Sequence, residues 1–132
     1  MTPRILELKS LGDPRGALVA VEAESTVPFQ IKRVYYVYRT GSGVERGFHA
    51  HKALQQVAIA VSGSCEMVLN DGMSETSVLL DSPEKGLYIG PGVWRVMRNF
   101  SSDCVLLVLA DQHYDEDDYI RDYNKFQQWL AK

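Results

Sequence analysis

Several things are scarce in this chain, and each scarcity removes a class of protein. Only two cysteines, Cys65 and Cys104, occur in 132 residues. Their spacing forms neither a CxxC redox pair nor a zinc knuckle, so free thiols in strands are expected. Positive charge is not in excess: 14 Lys and Arg against 17 Asp and Glu give a formal net charge of -3. That argues against the basic face of a nucleic-acid binder, while leaving room for a local basic pocket that takes a phosphate. No apolar run is long enough to span a bilayer, and the N-terminal MTPRILELKS lacks the apolar core of a signal peptide. A cytoplasmic protein with no nucleic-acid or membrane partner is expected. Repeats and linkers are also missing, so residues 1–132 read as one domain.

What the chain has in quantity is short β-like runs. ILEL, ALVAVEA, RVYYVYR, QVAIAVSG, CEMVLND, TSVLLD, GLYIG and CVLLVLA are rich in Val, Ile, Leu and Tyr, and several alternate. Turn residues separate them: GDPRG, TGSG, SGS, NDG, DSPEKG, GPG and NFSSD. Many short strands at near-regular spacing imply a sandwich or barrel, not a βαβ fold. Only the C-terminus reads as helix. From Asp115 to Lys132, Tyr119, Ile120, Tyr123, Phe126, Trp129 and Leu130 fall at helical spacing, with acidic residues in the first turn. That stripe is expected to dock on the barrel; a dimer contact is the alternative.

One stretch carries chemistry. RGFHAHKALQQ, residues 46–56, places His49 and His51 two apart on a strand, hence on one face, with Ala50 opposite. Two imidazoles on one face suit metal ligation or proton transfer. The pattern Gly43, His49-Ala50-His51, Gln56, Gly63 resembles the first cupin motif, and GPGVWRVMRN, residues 90–99, resembles the second. Metal-binding cupins carry Glu where this chain has Gln55 or Gln56, and a third His where it has Arg95. Gln is a weak neutral ligand, and Arg offers only donors. His113, just before the C-terminal stripe, is a poor substitute. The expectation is a cupin barrel without a metal or other cofactor. Acid–base chemistry remains: histidine titrates near neutrality, and nearby arginines favour its neutral, basic form.

A closer resemblance covers most of the chain, from about Pro14 to Phe126. PRGALVAVE, PFQIKRVYYVY, RGFHAHKALQQ, GSCEMVLNDG, LDSPEKGLYIGPGVW, FSSDCVLLVLA and YDEDDYIRDYNKF are similar, in order and spacing, to the WxcM-like sugar 3,4-ketoisomerases. The resemblance implies an all-β, RmlC-like jelly-roll cupin barrel with a C-terminal helix. It implies a homodimer with strand exchange, a dTDP-linked 4-keto-6-deoxy sugar as partner, and an enediol route in dTDP-3-amino-3,6-dideoxyhexose biosynthesis, feeding a glycan such as lipopolysaccharide O-antigen or an S-layer. His49 is then the proton acceptor and His51 its partner, donating at C4 or relaying protons between oxygens.

Around them, Arg33, Tyr35, Tyr36 and Arg46 are candidate substrate contacts. Trp94 reads equally as core or as a wall against the sugar or base. Lys52 reads as surface. Arg15 in PRG and Arg95 in VWR match family positions that vary with the product's C4 configuration; with Arg at both, galacto is favoured slightly over gluco. The rival readings are a metal-dependent cupin, a cupin epimerase, and a non-catalytic dTDP-sugar-binding module.

Overall fold

A computed structural model describes all 132 residues, Met1–Lys132. Twelve strands and one helix follow in order: β1 Arg4–Glu7, β2 Ser10–Asp13, β3 Gly16–Val19, β4 Arg33–Tyr38, β5 Arg46–His51, β6 Gln56–Ser62, β7 Cys65–Asn70, β8 Glu75–Leu80, β9 Lys85–Ile89, β10 Trp94–Arg98, β11 Val105–Ala110, β12 Tyr119–Ile120 and α1 Tyr123–Leu130. Two five-stranded antiparallel sheets, ordered β1-β9-β6-β11-β4 and β12-β5-β10-β7-β8, form the walls of the cupin jelly roll. The remaining pair, β2–β3, is a ribbon whose strands bond only to each other.

Alternation decides which side of each strand is core. On β6, Ala58 and Ala60 face inward with Leu69, Leu87 and Leu106, while Val57 and Ile59 face outward against Val27, Phe29 and Leu109. The first sheet is thus covered on both faces, which explains why VAIA, residues 57–60, is a continuous apolar run. Cys65 and Cys104 are free and lie in the inner core. Burial pushes the Cys65 thiol up to about 12, so it is protonated and unreactive at neutral pH.

The C-terminal segment departs from the sequence expectation. Helix begins at Tyr123, not Asp115; Glu116–Asp118 is a single 3-10 turn, and Tyr119–Ile120 pairs with His51 and Ala50 of β5. The reason is local. Asp115 caps the short turn, accepting from the Asp117 amide, and Asp122 caps the true helix, accepting from the Lys125 amide. The stripe does dock: Phe126 and Ile120 pack on Ala50 and Trp94 over the outer face of the second sheet. Two strands lacked a clear signal. β2, SLGD, carries only one large apolar residue, and β10 sits within GPGVWRVMRN. No helix is long and apolar enough to cross a membrane.

Candidate active site

The site grows from β5 and its partner β10. Arg95 pairs with His49, but Val96 pairs with Gly47, so Phe48 is one extra residue in β5. Gly47 (φ +95°) and Phe48 (φ +58°) both take left-handed backbone there. A Cβ on Gly47 would lie 2.8 Å from the Arg95 carbonyl oxygen, so glycine is required for the two strands to approach. The bulge turns His49 and His51 to the inner face, with ring centroids 5.0 Å apart and edge-to-face. Ala50 faces the other way, into the cluster under α1.

His49 lines a cavity of about 670 Å³ at one end of the barrel, with Arg33, Tyr35, Arg46, Tyr119 and Arg121. His51 sits behind it and is 1% exposed. Burial first, and the Arg95 charge second, pull the His49 pKa down to about 4. The same two causes, in the same order, lower His51, with the neighbouring His49 adding to them. Both rings are therefore neutral bases at neutral pH.

Arg95 is buried beneath His49. It donates through Nη1 to the Gln56 side-chain oxygen and through Nη2 to the Val93 carbonyl at 3.0 Å. Gln56 in turn donates to the Tyr35 hydroxyl at 3.0 Å, which leaves the Tyr35 proton free to donate into the cavity. Gln56 is thus spent on Arg95 and Tyr35. No three His, Cys, Asp or Glu side chains are grouped so as to hold a metal ion.

Among the sequence candidates, Arg33, Tyr35, Arg46 and His49 line the cavity, and His51 and Arg95 lie against them. Three others are elsewhere in this chain. Tyr36 points outward from β4 and is 62% exposed, because alternation sends it opposite to Tyr35. Trp94 packs against Tyr123 and Phe126 under α1, the core reading and not the wall. Arg15 sits at the tip of the β2–β3 ribbon, 89% exposed and paired with Asp13 of the same ribbon.

The sequence reading missed Tyr114, Asp118, Tyr119 and Arg121. Tyr119 packs against both histidines, tilted to His49 with centroids 5.0 Å apart and edge-to-face with His51 at 4.4 Å. Arg121 lies 4.1 Å over that ring and is held by a two-pronged bond to Glu116 at 2.7 and 2.9 Å. Asp118 is hydrogen-bonded to His51 Nδ1 at 3.0 Å. All four fall in QHYDEDDYIRDY, where the helical spacing of the aromatics masked a strand. The usable signal was Asp122 as a helix cap, which would have freed Tyr119 and Ile120 to pair.

The comparisons with known proteins agree on one group. The family model FdtA, WxcM-like, C-terminal, matches residues 1–131. A TDP-4-oxo-6-deoxy-alpha-D-glucose-3,4-oxoisomerase of Aneurinibacillus thermoaerophilus is 50% identical over 132 residues, covering 100% of this chain and 95% of its own. A 3,4-ketoisomerase of Helicobacter canadensis superposes with TM-score 0.96 at 48% identity, over 100% of this chain and 99% of its own. A variant of the 3,4-ketoisomerase QdtA of Thermoanaerobacterium thermosaccharolyticum, in complex with TDP-4-keto-6-deoxyglucose, gives TM-score 0.96 at 41% identity, over 98% and 94% of the two chains.

Proposed function

Because the chain belongs to the FdtA family, WxcM-like, C-terminal, we propose that this isomerase moves the keto group of TDP-4-keto-6-deoxyglucose from C4 to C3. The observation that carries the reading is the pair of neutral histidines, 5.0 Å apart, at the inner end of a cavity lined by three arginines.

His49 takes the C3 proton. The C3–H electron pair forms the C3=C4 double bond and the C4 oxygen takes the negative charge, giving an enediolate. His51 takes the C3 hydroxyl proton and passes it to the C4 oxygen, and as His49 returns its proton at C4 the ketone stands at C3. The sugar is neither oxidised nor reduced overall, so no redox partner enters. His51 relays protons between the two oxygens. Tyr35 donates its hydroxyl to a sugar oxygen, and Arg33, Arg46 and Arg121 hold the diphosphate and the developing negative oxygen. Arg95 stays protonated throughout: it keeps His49 neutral and donates no proton. The active species is a homodimer with strand exchange, and the partner's β2–β3 ribbon brings Arg15 to the cavity. The product is the 3-keto-6-deoxyhexose, galacto slightly favoured over gluco at C4, since Arg15 points to galacto and Arg95 to gluco.

Proton NMR of TDP-4-keto-6-deoxyglucose with the enzyme in D2O tests this. The expected product is the 3-keto sugar with deuterium at C4, unchanged by a chelator; an undeuterated run reads the C4 configuration from its coupling. His49→Asn is expected to abolish turnover and leave TDP affinity within about three-fold. Unchanged substrate with binding intact would mean a sugar-nucleotide-binding module. Loss with chelator would mean a metal enzyme, and inversion at C3 or C5 with the ketone still at C4 an epimerase.

A further inference from the structure

Behind the histidines lies a carboxylate that the reaction as written does not use. Asp118, at the end of the 3-10 turn, is buried against the start of the β5–β6 loop. Its Oδ1 accepts from the Ala53 amide at 2.8 Å; its Oδ2 accepts from the Leu54 amide at 3.3 Å and lies 3.0 Å from His51 Nδ1, within hydrogen-bond distance. The opposite ring nitrogen of His51, Nε2, is buried with no partner in the protein. The Asp118 backbone is fixed as well, its carbonyl accepting from the Lys52 amide and its amide donating to Asp115.

We propose that Asp118 is a positioning residue that holds His51 as its Nδ1–H tautomer and so presents Nε2 as a bare acceptor beside His49. A carboxylate accepts only, so the proton between it and the ring must sit on Nδ1. The ring is neutral, so Nε2 carries the lone pair. Tyr119, 4.4 Å from the ring, prevents it from turning to another partner. When Nε2 takes a hydroxyl proton, Asp118 faces the imidazolium that forms and offsets the charge of Arg95 nearby. This rests on the proposed relay role of His51 and adds its direction: His51 receives a proton before it gives one.

Asp118→Asn separates positioning from scaffolding. The Asn carbonyl keeps the shorter bond to the Ala53 amide, which places its NH2 against His51 Nδ1. That nitrogen must then accept, and the ring proton moves to Nε2. The expected result is kcat lower by about 10²–10⁴-fold with KM within about three-fold. Nitrogen-15 NMR of the His51 ring should show protonated Nδ1 in the wild type and protonated Nε2 in the variant.

Wild-type protein with Nε2 protonated would overturn the proposal, whether or not the variant folds. So would a variant that keeps its kcat, or one that loses activity with Nδ1 still protonated. A wild type that fails to isomerise while showing the bare Nε2 would sink the ketoisomerase reading and leave the Asp118–His51 pair standing.

Discussion

A histidine works as a base only while its ring is neutral, and here two features keep it so. His49 is withdrawn from water and stands over the buried guanidinium of Arg95; each disfavours a second positive charge, and together they bring its pKa to about 4 from 6.5. The acidic limb of kcat/KM should therefore lie near pH 4, not near 6.5, with a flat profile through neutrality. Stability follows the opposite proton count. Above 6.5 both folded and unfolded rings are neutral and the site costs nothing. Between 6.5 and 4 the unfolded chain binds protons that the folded site refuses, so the fold weakens as pH falls through that window. Rate profiles paired with circular dichroism at each pH separate the two effects. A limb near 6.5 with the fold intact would mean that Arg95 and burial do not control the base.

At the scale of elements, the site depends on one strand held from both edges. β10 holds β5 on one side through the bulge at Gly47 and Phe48; β12 holds it on the other through Tyr119 and Ile120. β12 is only two residues long, so α1 must pin it, and Phe126 is fully buried against Ala50 and Ile120. Phe126→Ala should cost about 3–5 kcal/mol by cavity formation. It should also lower kcat by loosening Tyr119 and Asp118, while His49 and Arg46 stay on intact strands. Denaturant unfolding and steady-state kinetics check both; a destabilised variant with wild-type kcat would show that the C-terminal segment only seals the core.

The same elements show what sequence reasoning can reach. Alternation over RVYYVY and the HAH spacing depend on neighbours in the chain, and both gave the correct facing sides. That rule also separates Tyr35 from Tyr36, but it does not say which side is the cavity. Tyr119 and Ile120 fit a helix stripe and a strand equally well; pairing with β5, 68 or more residues earlier in the chain, decided between them. The hydrogen bond from His51 to Asp118 spans 67 residues, and no local pattern encodes it.

For the molecule as a whole, the β2–β3 ribbon is the unfinished part. A two-stranded ribbon alone is marginal in water. This one carries Leu11 and Leu18 at 55% and 57% exposure and bonds to neither sheet. The outward side of the edge strand β4 likewise exposes Val34, Tyr36 and Tyr38. Exchange of ribbons between two copies would cover such surfaces, and it would carry Arg15 from its solvent position to the partner's site.

Two measurements test this. Sedimentation should give a dimer, and Leu11→Asp with Leu18→Asp should give a monomer with little turnover. Mixing Arg15→Ala with His49→Asn subunits is the sharper test. Each mixed dimer regains one complete site, with His49 from one chain and Arg15 from the other, so activity should rise to roughly one quarter of wild type after random exchange. If Arg15 serves its own chain, no mixed dimer gains a complete site, and activity stays at the average of the two parents.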